Sequence, residues 1–345
     1  MTDRQVTRRE FVRDGAIAAA GLAAGIQMAK AAPATQPRIL NYNEQMEYRR
    51  CGKTELMVSA VCLGGHWKRL EAKGDDFAKN RHDVVSRCID VGMNYIDACT
   101  GQEVLAYSEA LRGRRDQMYL GFSYCEKEAR YEKFRTAKAL LSSFDEMIRE
   151  AKLDYCDLWR ITCFEPGGQH TFDTSQEIVQ ALETAQKQGK ARFVGISSHD
   201  RRWLKMMIEE FPQLQVILTP YTSKTKAKPE DSLFDAIKKC DVGFFGIKPF
   251  ASNSLFKGDS SPNSPDRKED DERARLAIRY ILCNKVITAP IPGLINIDQV
   301  NNMARAVKER RELDQKEAST LQRAADEAWA KLPEDYQWLK DWEYV

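Results

Sequence analysis

Eight short apolar runs recur along this chain, most of them followed by a longer stretch with apolar residues at helical spacing, and this alternation constrains the fold more than any other feature. The runs are SAVCLGG (59–65), MNYID (93–97), MYLGFS (118–123), YCDLWRIT (155–162), RFVGIS (192–197), QVILT (215–219), VGFFGIK (242–248) and VITAPIP (286–292). Between them RHDVVSRCIDVG, AKALLSSFDEMIREAK, QEIVQALETAQKQGK and RARLAIRYILCNK carry amphipathic spacing, and Gly92 and Gly189 stand where helices end. Strands joined through helices build either a closed barrel or an open doubly wound sheet. The open sheet would ordinarily place a GxGxxG turn after its first strand, and CLGGHWKRLEAKG has none. The expectation is an α/β fold, a (β/α)8 TIM barrel, as one domain over residues 32–345. The segment 250–272, rich in Ser, Pro, Asn and Asp, is expected to be a loop over the barrel mouth.

Residues 1–31 are read separately. They open on Thr7, Arg8, Arg9, Phe11 and Arg13, continue through a small-residue apolar run and end in Ala29-Lys30-Ala31, a small-x-small cleavage pattern. This resembles a twin-arginine (Tat) export signal, implying the Tat export machinery as a partner, a mature chain beginning near Ala32 and a bacterial periplasmic location. No other segment is long and apolar enough to span a membrane. With 43% apolar and 30% charged residues the chain is ordinary for a globular protein, and a net charge of +2 with interspersed signs gives no basic face for nucleic acid. The nine cysteines include no CxxC pair, so no zinc ribbon or iron–sulfur cluster is suggested and no metal is assigned.

Several of these stretches, in order, resemble the aldo-keto reductases. YRRCGKTELMVSAVCLGG is similar to that family's opening hairpin and first barrel strand, GMNYIDAC to its second strand, GRRDQMYLGFS to its third, DYCDLWRIT to its fourth, GKARFVGISSHD to its fifth and APIPGLINIDQV to the cofactor end of its eighth. The likeness runs from about Met46 to Val307 and implies an oxidoreductase using NADP or NAD. In the family an Asp, Tyr, Lys and His tetrad reduces carbonyls, the Tyr giving a proton while its neighbours bring its high pKa into range. Laid motif on motif, Asp97 falls on the Asp, Thr100 on or beside the Tyr, Ser123 on the Lys and Thr162 on the His. Tyr107 lies deeper in a helical stretch, where packing is the expectation. The resemblance places Ser197, Lys248, Pro292, Gly293 and Gln299 at the cofactor, with Ile247 where nicotinamide often stacks. Gly293 and Gln299 stand where NADP-using members often carry basic residues.

Other residues are candidates by position. Alternation along LWRIT puts Arg160 on the face of Thr162, one layer deeper, so Arg160 or Lys248 is expected to neutralise Asp97. His66 and His199 follow strand ends, where barrel enzymes keep their chemistry. With Asp97 and Cys99 they suggest a second reading, a metal-assisted lyase or isomerase. Trp67, Tyr124, Phe164 and Tyr221 also follow strand ends and suit a sugar or flat organic ligand, giving a third reading, a non-catalytic extracytoplasmic binding barrel or pseudoenzyme. Glu165 and His170 lie in a loop placed to cover the pocket.

Overall fold

The structure is a computed structural model, describing residues 38–67, 69–163, 170–259, 261, 263–309 and 311–342. The export-signal reading of residues 1–31 and the candidates Phe164 and Glu165 lie outside the described residues.

A hairpin, β1 (Tyr48–Arg50) and β2 (Met57–Ser59), precedes the barrel strands β3 (Leu63–Gly64), β4 (Tyr95–Ala98), β5 (Tyr119–Phe122), β6 (Cys156–Thr162), β7 (Ala191–Ser197), β8 (Val216–Pro220), β9 (Gly243–Ile247) and β10 (Ala289–Pro290). The eight pair in parallel in strict sequence order from β3 to β10. Closure comes from the Cys62 N–H donating to Pro290 O (3.1 Å) and the Gly64 N–H to Pro292 O (2.8 Å), with a parallel bridge between Gly64 and Gly293. The two seam strands are shorter than the apolar runs 59–65 and 286–292 because Pro290 and Pro292 have no N–H to give, so only their carbonyls join the ladder.

Helices follow the strands in turn: α1 (Gly74–Asp90), α2 (Gly101–Ala110), α3 (Ala137–Glu150), α4 (Phe172–Lys187), α5 (Arg201–Glu210), α6 (Leu233–Cys240), α7 (Arg267–Leu282) and α8 (Ile297–Lys308), with α9 (Gln315–Ala330) beyond them. Their apolar faces, such as Leu140, Phe144 and Met147 of α3, pack on the outward side chains of the strands, such as Phe122 and Trp159. The loop expected over 250–272 ends sooner, because RKEDDE (267–272) opens α7, its acids Glu269 and Asp270 favoured in the first turn. The rest of that loop carries left-handed backbone at Ala251, Ser252 and Asn253.

Inside the barrel a second apolar cluster joins Tyr95, Leu158, Leu218, Phe245 and Ile291 to Leu56 and Val58, so the hairpin plugs one end. Buried Asn94 ties it down: its Oδ1 accepts the Ser59 N–H (2.9 Å) and its Nδ2 donates to Met57 O (2.9 Å). Mid-barrel, Tyr95 stacks on Phe245 with centroids 4.5 Å apart. A Cβ at Gly121 would lie 2.0 Å from Tyr95 Oη, and the stacked ring cannot swing aside. Gly121→Ala is therefore expected to cost about 1–3 kcal/mol by overpacking. A urea midpoint equal to wild type would show that the ring moves freely.

Candidate functional site

Asp97 ends β4 and Arg160 lies on β6, both buried, and they meet across the barrel. The Arg160 Nε–H donates to Asp97 Oδ2 (3.2 Å) and Nη2 donates to Asp97 Oδ1 and to Ala98 O (3.2 Å). Nη1 donates to Ser123 Oγ (3.0 Å) and Thr162 Oγ1 (2.9 Å). A guanidinium has five N–H donors, and five contacts use all of them. Ser123 and Thr162 are themselves 2.8 Å apart, and the Ser123 hydroxyl is 3.0 Å from Cys99 O. Ser123 and Thr162 thus hold Arg160, which pairs with Asp97. Burial raises the Asp97 carboxyl against the pull of Arg160, whose own pKa is driven well above the usual range. Because arginine does not release its proton, the pair stays ionised near neutral pH.

Lys248 does not reach Asp97. Its backbone turns left-handed (φ 57°), and its ammonium lies over the rings of Tyr336 (5.1 Å) and Trp338 (5.9 Å).

Glu128, pushed up to about 8 by burial, accepts the N–H groups of Thr162 (2.7 Å) and Tyr124 (2.9 Å) and so fixes the end of β6. Glu103, buried in α2, accepts the Cys99 N–H (2.7 Å) on one oxygen; the other lies 2.6 Å from the His66 N–H and 2.7 Å from its Nδ1. His66 adopts φ 60°, and a Cβ on Gly65 would lie 1.9 Å from Glu103 Oε2, so only glycine leaves room for the carboxylate. The hydrogen bond that its ring donates to Glu103 raises the His66 pKa, while bonds from His66 and two backbone N–H groups hold Glu103 low despite its burial. Sequence reasoning misses both acids. Thr100-x-x-Glu103 is a capping-box pattern, and the Thr100 hydroxyl does accept the Glu103 N–H (3.2 Å), but the carboxylate turns to His66 instead of the cap.

A cavity of ≈ 250 Å³ at the mouth is floored by Asp97, Cys99, Arg160 and Thr162. His66, His199, Ser197, Ile247, Lys248, Pro292, Gly293 and Gln299 also line it, so every cofactor candidate borders this cavity. Ser123 lies behind this lining. Cys99 Sγ is 3.9 Å from Arg160 Nη1, and the thiol is held well below its usual range by a hydrogen bond from Cys125, with help from Arg160 and His66. His199 stacks on Trp338 at 4.1 Å.

Three of the aromatic residues expected at the mouth, Trp67, Tyr221 and Tyr124, are elsewhere. Trp67 turns outward to Phe77 and Tyr107, its indole N–H donating to Tyr107 Oη (3.1 Å). Tyr221 is buried against Phe234 and Phe244, its hydroxyl held by the Asn284 amide (3.2 Å). Each points to the helix layer because one step of phase past a strand end decides between mouth and shell. Tyr107, buried and donating to Gly64 O (2.5 Å), packs as expected. Tyr124 packs against the core under the Lys127 ammonium (5.1 Å). His170 lies tilted against Trp203, with centroids 5.0 Å apart, and is pushed down to about 4, chiefly by burial. Among the described residues no cluster of three or more His, Cys, Asp or Glu is arranged to hold a metal, and no helix is long and apolar enough to cross a membrane.

Removing one member of the central pair strands a buried charge. Arg160→Met is expected to cost about 3–5 kcal/mol, and the Asp97→Leu/Arg160→Met double variant less than the sum of the singles. Thermal melts of the four proteins check this; strictly additive losses would show the two residues to be uncoupled.

The Aldo/keto reductase family model matches residues 62–275. L-glyceraldehyde 3-phosphate reductase of Escherichia coli (strain K12) is 25% identical over 235 residues, 61% of this chain, which spans only 63% of that relative's length. L-galactose dehydrogenase of Arabidopsis thaliana is 25% identical over 293 residues, 77% of this chain and 89% of the relative. Among solved structures, an aldo-keto reductase of Bacillus halodurans in its holo form superposes with a TM-score of 0.61 at 22% identity, covering 81% of this chain and 96% of the other. One from Klebsiella pneumoniae in complex with NADPH gives 0.61 at 18%, covering 81% and 94%. An eight-stranded parallel barrel with its hairpin plug and a family match over most of its strands lead to one conclusion: this chain belongs to the aldo/keto reductase family.

Proposed function

We propose that this protein is a nicotinamide-dependent oxidoreductase that interconverts a small polar carbonyl compound and its alcohol without the family's tyrosine. The observation that carries this reading is that one cavity is lined by Ser197, Lys248 and Gln299 together with Asp97, Cys99, Arg160 and Thr162. Ser197, Lys248, Pro292, Gly293 and Gln299 would hold a nicotinamide dinucleotide, which would supply or take a hydride. Arg160 contributes a fixed positive field there, favouring charge that develops on a substrate oxygen. With all five donors engaged it gives up no hydrogen bond to do so. Thr162, only partly buried, presents its hydroxyl from the same floor.

The wall fits NAD better than NADP. Gly293 and Gln299 offer no cation, and the Gln299 Oε1 is taken by the Ile295 N–H (2.9 Å). Asp298, in the first turn of α8, lines the cavity and holds the Arg267 guanidinium at 2.7 Å. Arg267 lines the cavity too, but its guanidinium is committed to this carboxylate, which can also accept from a ribose hydroxyl. Fluorescence titration is expected to give a Kd for NADH at least about tenfold below that for NADPH, a difference of about 1.4 kcal/mol. Binding of neither nucleotide, with a thermal shift by sugars, would replace the redox reading with that of a ligand-binding barrel.

The same proposal includes export. Residues 1–31 act as a twin-arginine signal and residues 32–345 form the mature barrel, which leaves the cytoplasm folded and so able to carry a bound cofactor with it. Replacing Arg8 and Arg9 together by Lys is expected to keep the chain unprocessed in the cytoplasm of a Tat-competent bacterium. Mature protein still reaching the periplasm would end this part of the reading.

A further inference from the structure

We propose that His66 is the proton donor and acceptor of this site, with Glu103 as its positioning residue; the assignment rests on the oxidoreductase reading above. Carbonyl–alcohol chemistry needs a group that exchanges one proton with the substrate oxygen, and three other polar groups in this part of the barrel are poorly suited to it. Arg160 keeps its proton and has every donor engaged. Tyr107 is buried, donates to Gly64 O and accepts from Trp67. Lys248 sits over two aromatic rings.

His66 has what these lack. Its ring lies on the cavity wall with the side chain 48% exposed, so solvent can restore a spent proton. Nδ1 is committed to the buried Glu103 carboxylate at 2.7 Å, which makes Nδ1–H the donor there and leaves Nε2 as the nitrogen available to a ligand. The carboxylate is itself fixed by the N–H groups of His66 and Cys99, and it occupies space that any side chain at Gly65 would fill. A left-handed non-glycine backbone at His66 holds the ring in this place, a strain of the kind found at functional sites. The charged groups bearing on the ring are Glu103 from α2 and Cys99 after β4, which favour the imidazolium, and Lys248 after β9, which opposes it.

In reduction the carbonyl carbon accepts hydride from a reduced nicotinamide dinucleotide, and the former π pair on oxygen takes the Nε2 proton. The products are the alcohol and a neutral imidazole still donating from Nδ1, and water reprotonates Nε2. In oxidation neutral Nε2 takes the hydroxyl proton as hydride leaves carbon.

The test uses the full chain, its His66→Gln and Glu103→Gln variants, NADH and 4-nitrobenzaldehyde. With four histidines in the sequence, His66 is assigned in a histidine NMR titration by its loss in His66→Gln. Its pKa is expected above the usual 6.5 in the native protein and lower by about one unit or more in Glu103→Gln. Reduction needs the imidazolium, so native kcat/KM falls as pH rises through that pKa. This limb moves to lower pH in Glu103→Gln and disappears in His66→Gln, whose rate drops roughly 10²–10⁴-fold. A His66 pKa indifferent to Glu103→Gln, a His66→Gln rate within threefold of native, or native protein that binds NADH yet leaves the aldehyde unreduced would each overturn the assignment. Native protein that binds neither NADH nor NADPH would overturn the oxidoreductase reading itself, a separate outcome.

Discussion

The pairing of Arg160 with Asp97 is the interaction on which the interior of this barrel depends. Two buried charges are tolerated only when their mutual attraction and hydrogen bonds offset the loss of water, and here each N–H of the guanidinium has an acceptor. The requirement reaches neighbouring strands. Ser123 and Thr162 must be small and must carry oxygen to accept from Nη1, and Gly121 must lack a side chain so that Tyr95 can stand beside Asp97, its hydroxyl 3.4 Å from Oδ2. The hydroxyls of Ser123 and Thr162, and the cation between them, are therefore one physical arrangement, a large side chain entering from β6 with two small oxygens around it.

Around this fixed centre the mouth is built from side chains whose direction is set by the turns after each strand. Glu103 links the loop after β3 to the loop after β4, since it binds backbone of both His66 and Cys99. Glu128 similarly links the segment after β5 to the end of β6. The C-terminal segment (Glu334–Trp342) brings Tyr336 and Trp338 against Lys248 and His199, so the far wall is shaped by residues nearly ninety positions beyond β9. Cation–π contacts of this sort contribute about 0.5–1 kcal/mol at exposed sites, enough to orient Lys248 away from the floor.

The barrel and the central pair were legible in the sequence because both rest on simple periods. Eight apolar runs at regular intervals demand eight strands, and alternation along LWRIT places Arg160 beneath Thr162 and facing inward. Residues just past a strand end escape such reasoning, because there the period is lost. His66 and Trp67 are adjacent, yet one faces the cavity and the other the helix layer. The side chain of Glu103 was illegible for a related reason: its local pattern specifies a helix cap, while its partner His66 lies 37 positions upstream and is brought to it only by closure of the barrel. Glu128 sits among short turns with no periodicity to mark it. Lys248 against Arg160 as the partner of Asp97 was undecidable from spacing, since the choice turns on the left-handed backbone after β9.

A site of this kind separates two tasks that a single phenol and its neighbours perform together in the family's tetrad. A field for a developing oxyanion is strongest when its source is buried, rigid and always charged, and Arg160 meets all three conditions. A proton carrier needs the opposite: access to water and a pKa near the working pH. Arginine is therefore excluded from the second task by the properties that suit it to the first. A half-exposed imidazole on the wall, oriented by a buried carboxylate, meets the second set of conditions without weakening the central pair. The chemistry proposed for this site is then divided between floor and wall.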